Sequence, residues 1–126
     1  MIKRKWAKVF KRRHVPGEMN GLERRFSERL DAMQCSGSIL WWRFEAIRLR
    51  LTVGDKKTTY TPDFFVLMKT GEVEIYETKG HWTSAARVKT KVAADLYWFW
   101  KFRGAQWTKK GGWAFESFSK DPKEGE

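Results

Sequence analysis

The chain has 126 residues, enough for one compact domain and too few for two. Its 26 Lys and Arg against 15 Asp and Glu give a formal net charge of +11, a balance that favours a polyanionic partner, of which nucleic acid is the commonest. No stretch approaches the ~20 apolar residues of a membrane-spanning helix, so a membrane partner is not expected. No apolar run follows the basic Met1–Lys5 segment as a secretory signal requires. The single Cys35 allows no internal disulfide, which fits a reducing, cytoplasmic setting. His14 and His81 are isolated, so nothing has the ligand spacing of a zinc site.

Residues 1–19 form a basic arm. Lys3, Arg4, Lys5, Lys8, Lys11, Arg12 and Arg13 occur there with no acid before residue 18, and the arm is expected to contact phosphates. Trp6, Val9 and Phe10 give it a short apolar stripe if it turns helical, and Pro16-Gly17 breaks the chain. A helix is predicted from Asn20 to about Met33. Leu22, Phe26, Leu30 and Met33 make one buried stripe, and Asn20 with Glu23 three residues later reads as a capping box. Glu28, among Arg24, Arg25 and Arg29, belongs on a solvated face.

After Cys35-Ser36-Gly37-Ser38, one strand is predicted from Trp41 to Val53, with Ile47, Leu49 and Leu51 alternating with Arg48 and Arg50. Arg43, Arg48 and Arg50 lie on its polar face. A turn at Gly54-Asp55-Lys56-Lys57 offers Lys56 and Lys57 to a phosphate backbone.

Tyr60–Phe65 and Val73–Gly80 then read as the arms of a hairpin closed by Lys69-Thr70-Gly71. Side chains two apart in a strand share a face, so Glu77 and Lys79 project together. A two-residue loop sets Phe64 opposite Glu77. A three-residue loop with Gly71 left-handed sets Asp63 opposite Glu77, Phe65 opposite Ile75 and Leu67 opposite Val73. We expect the second register, because it leaves an unbroken apolar face ending in two carboxylates and an ammonium. Acids so close repel each other unless a cation lies between them. A hard divalent ion such as Mg²⁺, with Mn²⁺ able to substitute, suits their oxygens and shares its shell with phosphate. Lys79 beside that shell can stabilise charge developing on phosphorus.

Downstream, Thr83 or Ser84 caps a second helix, for which Ala85, Val88, Val92, Leu96 and Phe99 are the expected core stripe. Arg87, Lys89 and Lys91 flank it as candidates for phosphate contact. Gly104 resets the chain before two strands, Ala105–Thr108 and Trp113–Phe118, around Lys109-Lys110-Gly111-Gly112. The tail from residue 119 to 126 is polar. Of the eight tryptophans, most are expected in the core or an interface. Trp82, beside the acidic hairpin, is the candidate to stack on an unpaired base or wedge at a branch point.

Pro62-Asp63 followed by Glu77-Thr78-Lys79 resembles the signature of the PD-(D/E)XK nuclease superfamily. Tyr60-Thr61-Pro62-Asp63-Phe64-Phe65 with Glu77-Thr78-Lys79-Gly80-His81-Trp82 is similar to the active-site hairpin of phage Holliday-junction resolvases of the endonuclease I type. Ala86–Ala94 and Lys109–Trp113 resemble related small phage proteins. The resemblance spans roughly residues 20–118 and implies an α/β (α+β) nuclease domain: a restriction-endonuclease-like core with a mixed or antiparallel central sheet flanked by helices. It also implies one or two Mg²⁺ ions held by Asp63, Glu77 and the Thr78 backbone carbonyl. Gly21-Leu22-Glu23 resembles the segment that supplies a helical glutamate, which makes Glu23 a further metal-site and catalytic candidate. The expected activity is Mg²⁺-dependent endonucleolytic hydrolysis of DNA, leaving a 5′-phosphate and a 3′-hydroxyl. The preferred substrate is a four-way junction, and the expected assembly is a homodimer, in the cytoplasm of the host cell if phage-encoded; the resemblance leaves open whether Glu23 acts within its own chain or, as in those resolvases, in the partner's site. The segment containing Trp41-Trp42 has no counterpart in those resolvases. Two other readings stand beside this one: a less structure-selective phage endonuclease or nickase, and a non-catalytic DNA-binding protein on a nuclease scaffold.

Overall fold

The computed structural model describes residues 17–54 and 57–120. Lys3, Arg4, Lys5, Lys11, Arg12, Arg13 and Lys56, named above as phosphate contacts, lie outside the described residues, as do most of the arm and of the polar tail. The protein is mixed α/β: helix α1 (Gly21–Cys35), strands β1 (Ile39–Phe44), β2 (Leu49–Arg50), β3 (Thr59–Tyr60), β4 (Phe64–Met68) and β5 (Val73–Lys79), helix α2 (Ser84–Leu96), and strands β6 (Lys101–Thr108) and β7 (Gly112–Ser117). Five strands form one sheet in the order β1-β4-β5-β6-β7, while β2 and β3 make a separate short ribbon. Only β5 and β6 run parallel, and α2 makes the crossover between them, as a parallel pair requires. Among the described residues no helix is long and apolar enough to cross a membrane.

Helix α1 starts where its sequence says it should. The Asn20 side chain accepts from the Glu23 N–H at 2.8 Å, and the Glu23 carboxylate accepts from the Asn20 N–H at 2.9 Å. Phe26 and Leu30 are buried on its inner face, with Met33 packed beside them, against Ile39, Phe64, Val66, Tyr76 and Ala105. The opposite sheet face carries Ile75 and Phe102. It is covered by Leu49 and Tyr60 from the ribbon and by Ala93 and Ala94 from α2.

The hairpin adopts the bulged register. Phe65 pairs with Ile75 and Leu67 with Val73, and Phe64 lies opposite Tyr76 rather than Glu77. The loop closes through Met68 N–H to Glu72 O at 2.8 Å and Gly71 N–H to Met68 O at 2.9 Å. Gly71 has φ +91°, a backbone that costs a residue with a Cβ.

Three expectations need correction. The single strand Trp41–Val53 is two strands, because Glu45 turns the chain at φ +49°. The turn carries Leu49 from the edge of the sheet onto its second face, and the apolar–polar alternation at Ile47–Leu51 survives because that segment still lies on the core. Helix α2 packs through the opposite side from the one expected. Thr90, Ala93 and Ala94 are buried, whereas Val88, Val92 and Leu96 are exposed, as is Phe99, which lies beyond the helix end. The sheet face below already holds the bulky Phe65, Ile75 and Phe102, so the helix approaches through its small residues and leaves its larger ones outside. Gly104 sits within β6 and does not reset the chain.

The position of Gly104 explains its identity. A Cβ there would lie 2.5 Å from Trp82 Cζ2 and 2.9 Å from Phe118 Cε2, so the missing side chain makes the seat for the Trp82 indole. Gly104→Ala is expected to destabilise the fold by about 1–3 kcal/mol through overpacking and to dislodge Trp82. Thermal unfolding and the tryptophan fluorescence spectrum report the two effects, and an unchanged melting temperature would show that the indole has room to move.

Candidate active site

Asp63 stands where β4 begins. Pro62, which has no N–H to offer a ladder, is fully buried just before it. The backbone of Asp63 is fixed by Glu45 N–H donating to its carbonyl at 2.8 Å. Its carboxylate is fixed by β5: Oδ2 accepts from Thr78 N–H at 2.9 Å and from Thr78 Oγ1 at 2.8 Å. A strand residue directs N–H and C=O to the same side, so the Thr78 carbonyl opens on the edge where Asp63 lies.

The ladder ends at Phe64 and Tyr76, and Asp63 and Glu77 are the next residues beyond it on either strand, close enough for the Asp63 charge to act on Glu77. Both acids are buried, at 7% exposure each. One Glu77 oxygen, Oε2, takes a short hydrogen bond from the Tyr60 hydroxyl. The other lies 3.4 Å from Lys79 Nζ. Tyr60 is set in place by its ladder partner Leu49 and by Thr90 of α2, which reaches its phenol. The Thr90 hydroxyl also lies 2.9 Å from the Ala86 carbonyl.

Glu23 joins the group. It is 7% exposed, and its side chain hydrogen-bonds that of Asp63 as well as capping α1. A hydrogen bond between two carboxyls needs a proton on one of them. Glu23 and Asp63 thus come together within one chain. Capping and site duties do not compete, because the two carboxyl oxygens can divide them.

The electrostatics follow from burial. Desolvation pushes the Asp63 carboxyl above the usual range, against the pull of Thr78, Lys79 and Glu23. Glu77 is pushed up to about 8, first by desolvation and then by the neighbouring Asp63 charge, against the pull of Lys79 and Tyr60. Tyr60 is raised as well, by burial and then by Glu77, so it stays a donor. Among the described residues, no group of three or more His, Cys, Asp or Glu side chains is arranged to hold a metal ion as it stands. The donors that do converge are hard oxygens, and burial disfavours the charged form of both acids. That combination suits Mg²⁺ or Mn²⁺, which takes carboxylate, carbonyl and water oxygens and replaces protons on binding.

The other named residues are distributed differently. Trp82 is half-buried over Gly104, tilted against Phe118 at 5.2 Å, with Lys79 Nζ 6.0 Å and the Arg87 guanidinium 5.3 Å from its ring. Arg87 also pairs with Glu116 at 2.6 Å, so it serves as a strut between α2 and β7. Arg50 is spent on the carbonyls of Thr52 and Gly54, both at 2.7 Å. Lys57, Lys89 and Lys91 are exposed, as are Arg43 and Arg48. Glu28 is exposed as expected. Tyr60 and Thr90 had no role in the sequence reading. Their one signal was Thr90 itself, a polar side chain among the small residues of α2.

Glu77 binds its proton more tightly folded than unfolded, since about 8 lies above its ordinary 4.5. Its full stability is therefore present below the unfolded value and is lost as pH rises towards about 8. Metal-free protein is expected to melt lower at pH 8.5 than at pH 5.5 over this window. Glu77→Gln is expected to remove part of the slope and to stabilise the metal-free protein at pH 8.5 by about 1–3 kcal/mol. Millimolar Mn²⁺ is expected to raise the melting temperature of the native protein, and more at pH 8.5 than at pH 5.5, but not that of the variant. Equal shifts for both proteins would contradict a metal site at Glu77.

No family model, curated protein or solved structure matches the chain.

Proposed function

We propose that the protein is a divalent-metal-dependent DNA endonuclease with a restriction-endonuclease-like core, acting in the cytoplasm on branched DNA such as a four-way junction. The observation that carries this reading is the buried pair Asp63 and Glu77 at the end of β4 and β5, with Lys79 Nζ 3.4 Å from Glu77. A protein that only binds DNA gains nothing from sinking acids where phosphates approach. The net charge of +11 supplies the attraction to DNA that such acids oppose.

Asp63, Glu77 and the Thr78 carbonyl would hold Mg²⁺, with Glu23 supporting Asp63. Bound there, the metal supplies Lewis-acid activation of water and neutralisation of phosphate charge. The chain's own residues do the rest. Thr78 aims the Asp63 carboxylate through two hydrogen bonds. Tyr60 holds one oxygen of Glu77 and leaves the other facing Lys79. The Lys79 ammonium positions the attacking water and offsets charge that develops on the phosphoryl oxygens. Water adds to phosphorus as the bond to the 3′ oxygen breaks, leaving a 5′-phosphate and a 3′-hydroxyl. Two chains acting together would nick paired strands of a near-twofold junction, and the exposed Val88, Val92 and Leu96 face of α2 is a surface through which they can meet.

Asp63→Ala and Lys79→Ala are each expected to lower cleavage at least about 10²-fold, with DNA binding retained and still weakening steeply with salt. The assay compares a four-way junction, a flap, a duplex and a single strand, with Mg²⁺ and with chelator. Undiminished cleavage by Asp63→Ala in Mg²⁺ would refute the assignment.

A further inference from the structure

The chain between α2 and β6 is an unbroken aromatic run, Tyr97-Trp98-Phe99-Trp100. Two of the four build the core. The Tyr97 hydroxyl meets the Arg50 N–H at 3.2 Å and the Arg50 carbonyl at 2.9 Å, and Trp100 lies edge-on to Phe65 at 5.6 Å. The other two do not. Trp98 is 77% exposed and Phe99 58% exposed, with ring centroids 5.8 Å apart. Water contact at two large adjacent rings forfeits several kcal/mol of burial, although Phe99 also meets Trp100 edge-on at 5.2 Å.

These rings line a groove of about 830 Å³ whose walls also carry Lys101, Arg103 and Lys120. Among the described residues Glu72 is the one acid on it, and Lys101 answers it at 3.2 Å. Exposed π-faces interleaved with cationic side chains match the chemistry of an unpaired polynucleotide strand: bases stack on the rings while phosphates follow the charges. Duplex DNA keeps its base faces stacked on one another and cannot use the rings. The groove also lies along the strand that carries the acids. Lys101 pairs with Glu74 of β5, and Glu77 is three positions further on, with its side chain on the other face of the sheet.

We propose that this groove binds an unpaired DNA strand, so that the substrate of the carboxylate site is DNA that carries a single-stranded segment. The second clause rests on the endonuclease reading, whereas the binding itself does not.

The test is fluorescence anisotropy of a labelled oligo(dT) and of a blunt duplex of the same length, both in chelator so that nothing is cut. Trp98→Ala/Phe99→Ala is expected to weaken oligo(dT) binding about tenfold or more while leaving duplex binding within about twofold. Trp98→Phe/Phe99→Tyr, which keeps the rings, is expected to bind oligo(dT) nearly as the native protein does. Both residues are exposed, so the melting temperatures should agree. Equal oligo(dT) affinity for the native and alanine proteins would overturn the proposal. So would a native dimer that the alanine variant turns into monomers with oligo(dT) binding unchanged, since the rings would then serve a second copy. If no substrate is cut in Mg²⁺ yet ring-dependent oligo(dT) binding persists, the endonuclease reading fails and the groove stands. Cleavage with ring-independent binding gives the reverse.

Discussion

Two neighbouring carboxylates buried without a strong counter-charge are the most expensive arrangement in this protein, and much of the local architecture exists to hold them. Desolvation raises both acids, and the Asp63 charge raises Glu77 further. Against that cost stand a set of directed contacts: Thr78 on Asp63 through backbone and side chain, Tyr60 and Lys79 on Glu77, and Glu23 on Asp63. Each comes from a different piece of the fold. Thr78 and Lys79 belong to β5, Tyr60 to the ribbon, and Glu23 to the first turn of α1. The site is therefore a meeting point of the layers on both faces of the sheet, and it cannot form until those layers are packed.

The two faces are built by different means. On one, α1 sends Phe26 into aromatic contact with Phe64 and Tyr76, with centroids about 5 Å apart, and Leu30 packs beside it. On the other, large sheet residues meet small helix residues, so α2 lies close and Thr90 reaches Tyr60. The same economy leaves Val88, Val92 and Leu96 outside. A helix that turns its larger apolar residues to water and its alanines to the core is set by the volume already filled beneath it. Trp82, cushioned on Gly104 and flanked by Arg87, then closes the side of the site next to Lys79.

Local chemistry was readable in the sequence, and long-range geometry was not. Gly71 three residues from Met68 fixed the loop, the loop fixed the register, and the register runs to Phe64 and Tyr76, just short of Asp63 and Glu77. Asn20 and Glu23 announced the start of α1 by the same kind of local rule. The break at Glu45 escaped because the apolar–polar alternation continues through it, and periodicity carries no mark of a change of sheet. The face of α2 escaped because its apolar stripe is a good core stripe in isolation, and only the volume of Phe65, Ile75 and Phe102 excludes it. Gly104 looked like a break because a glycine's reason for being can lie far away in sequence, here at Trp82. Tyr60 was seen as a strand residue, and its bond to Glu77 spans seventeen positions.

A cation must offset the charge that burial disfavours on Asp63 and Glu77. The most direct measurement is an anomalous difference map from crystals soaked in Mn²⁺ near pH 8, where Glu77 is about half ionised. The account predicts a peak between the carboxylates of Asp63 and Glu77, on the edge where the Thr78 carbonyl opens. No peak there, with Asp63 still bound to Thr78 and Glu77 to Tyr60, would contradict it.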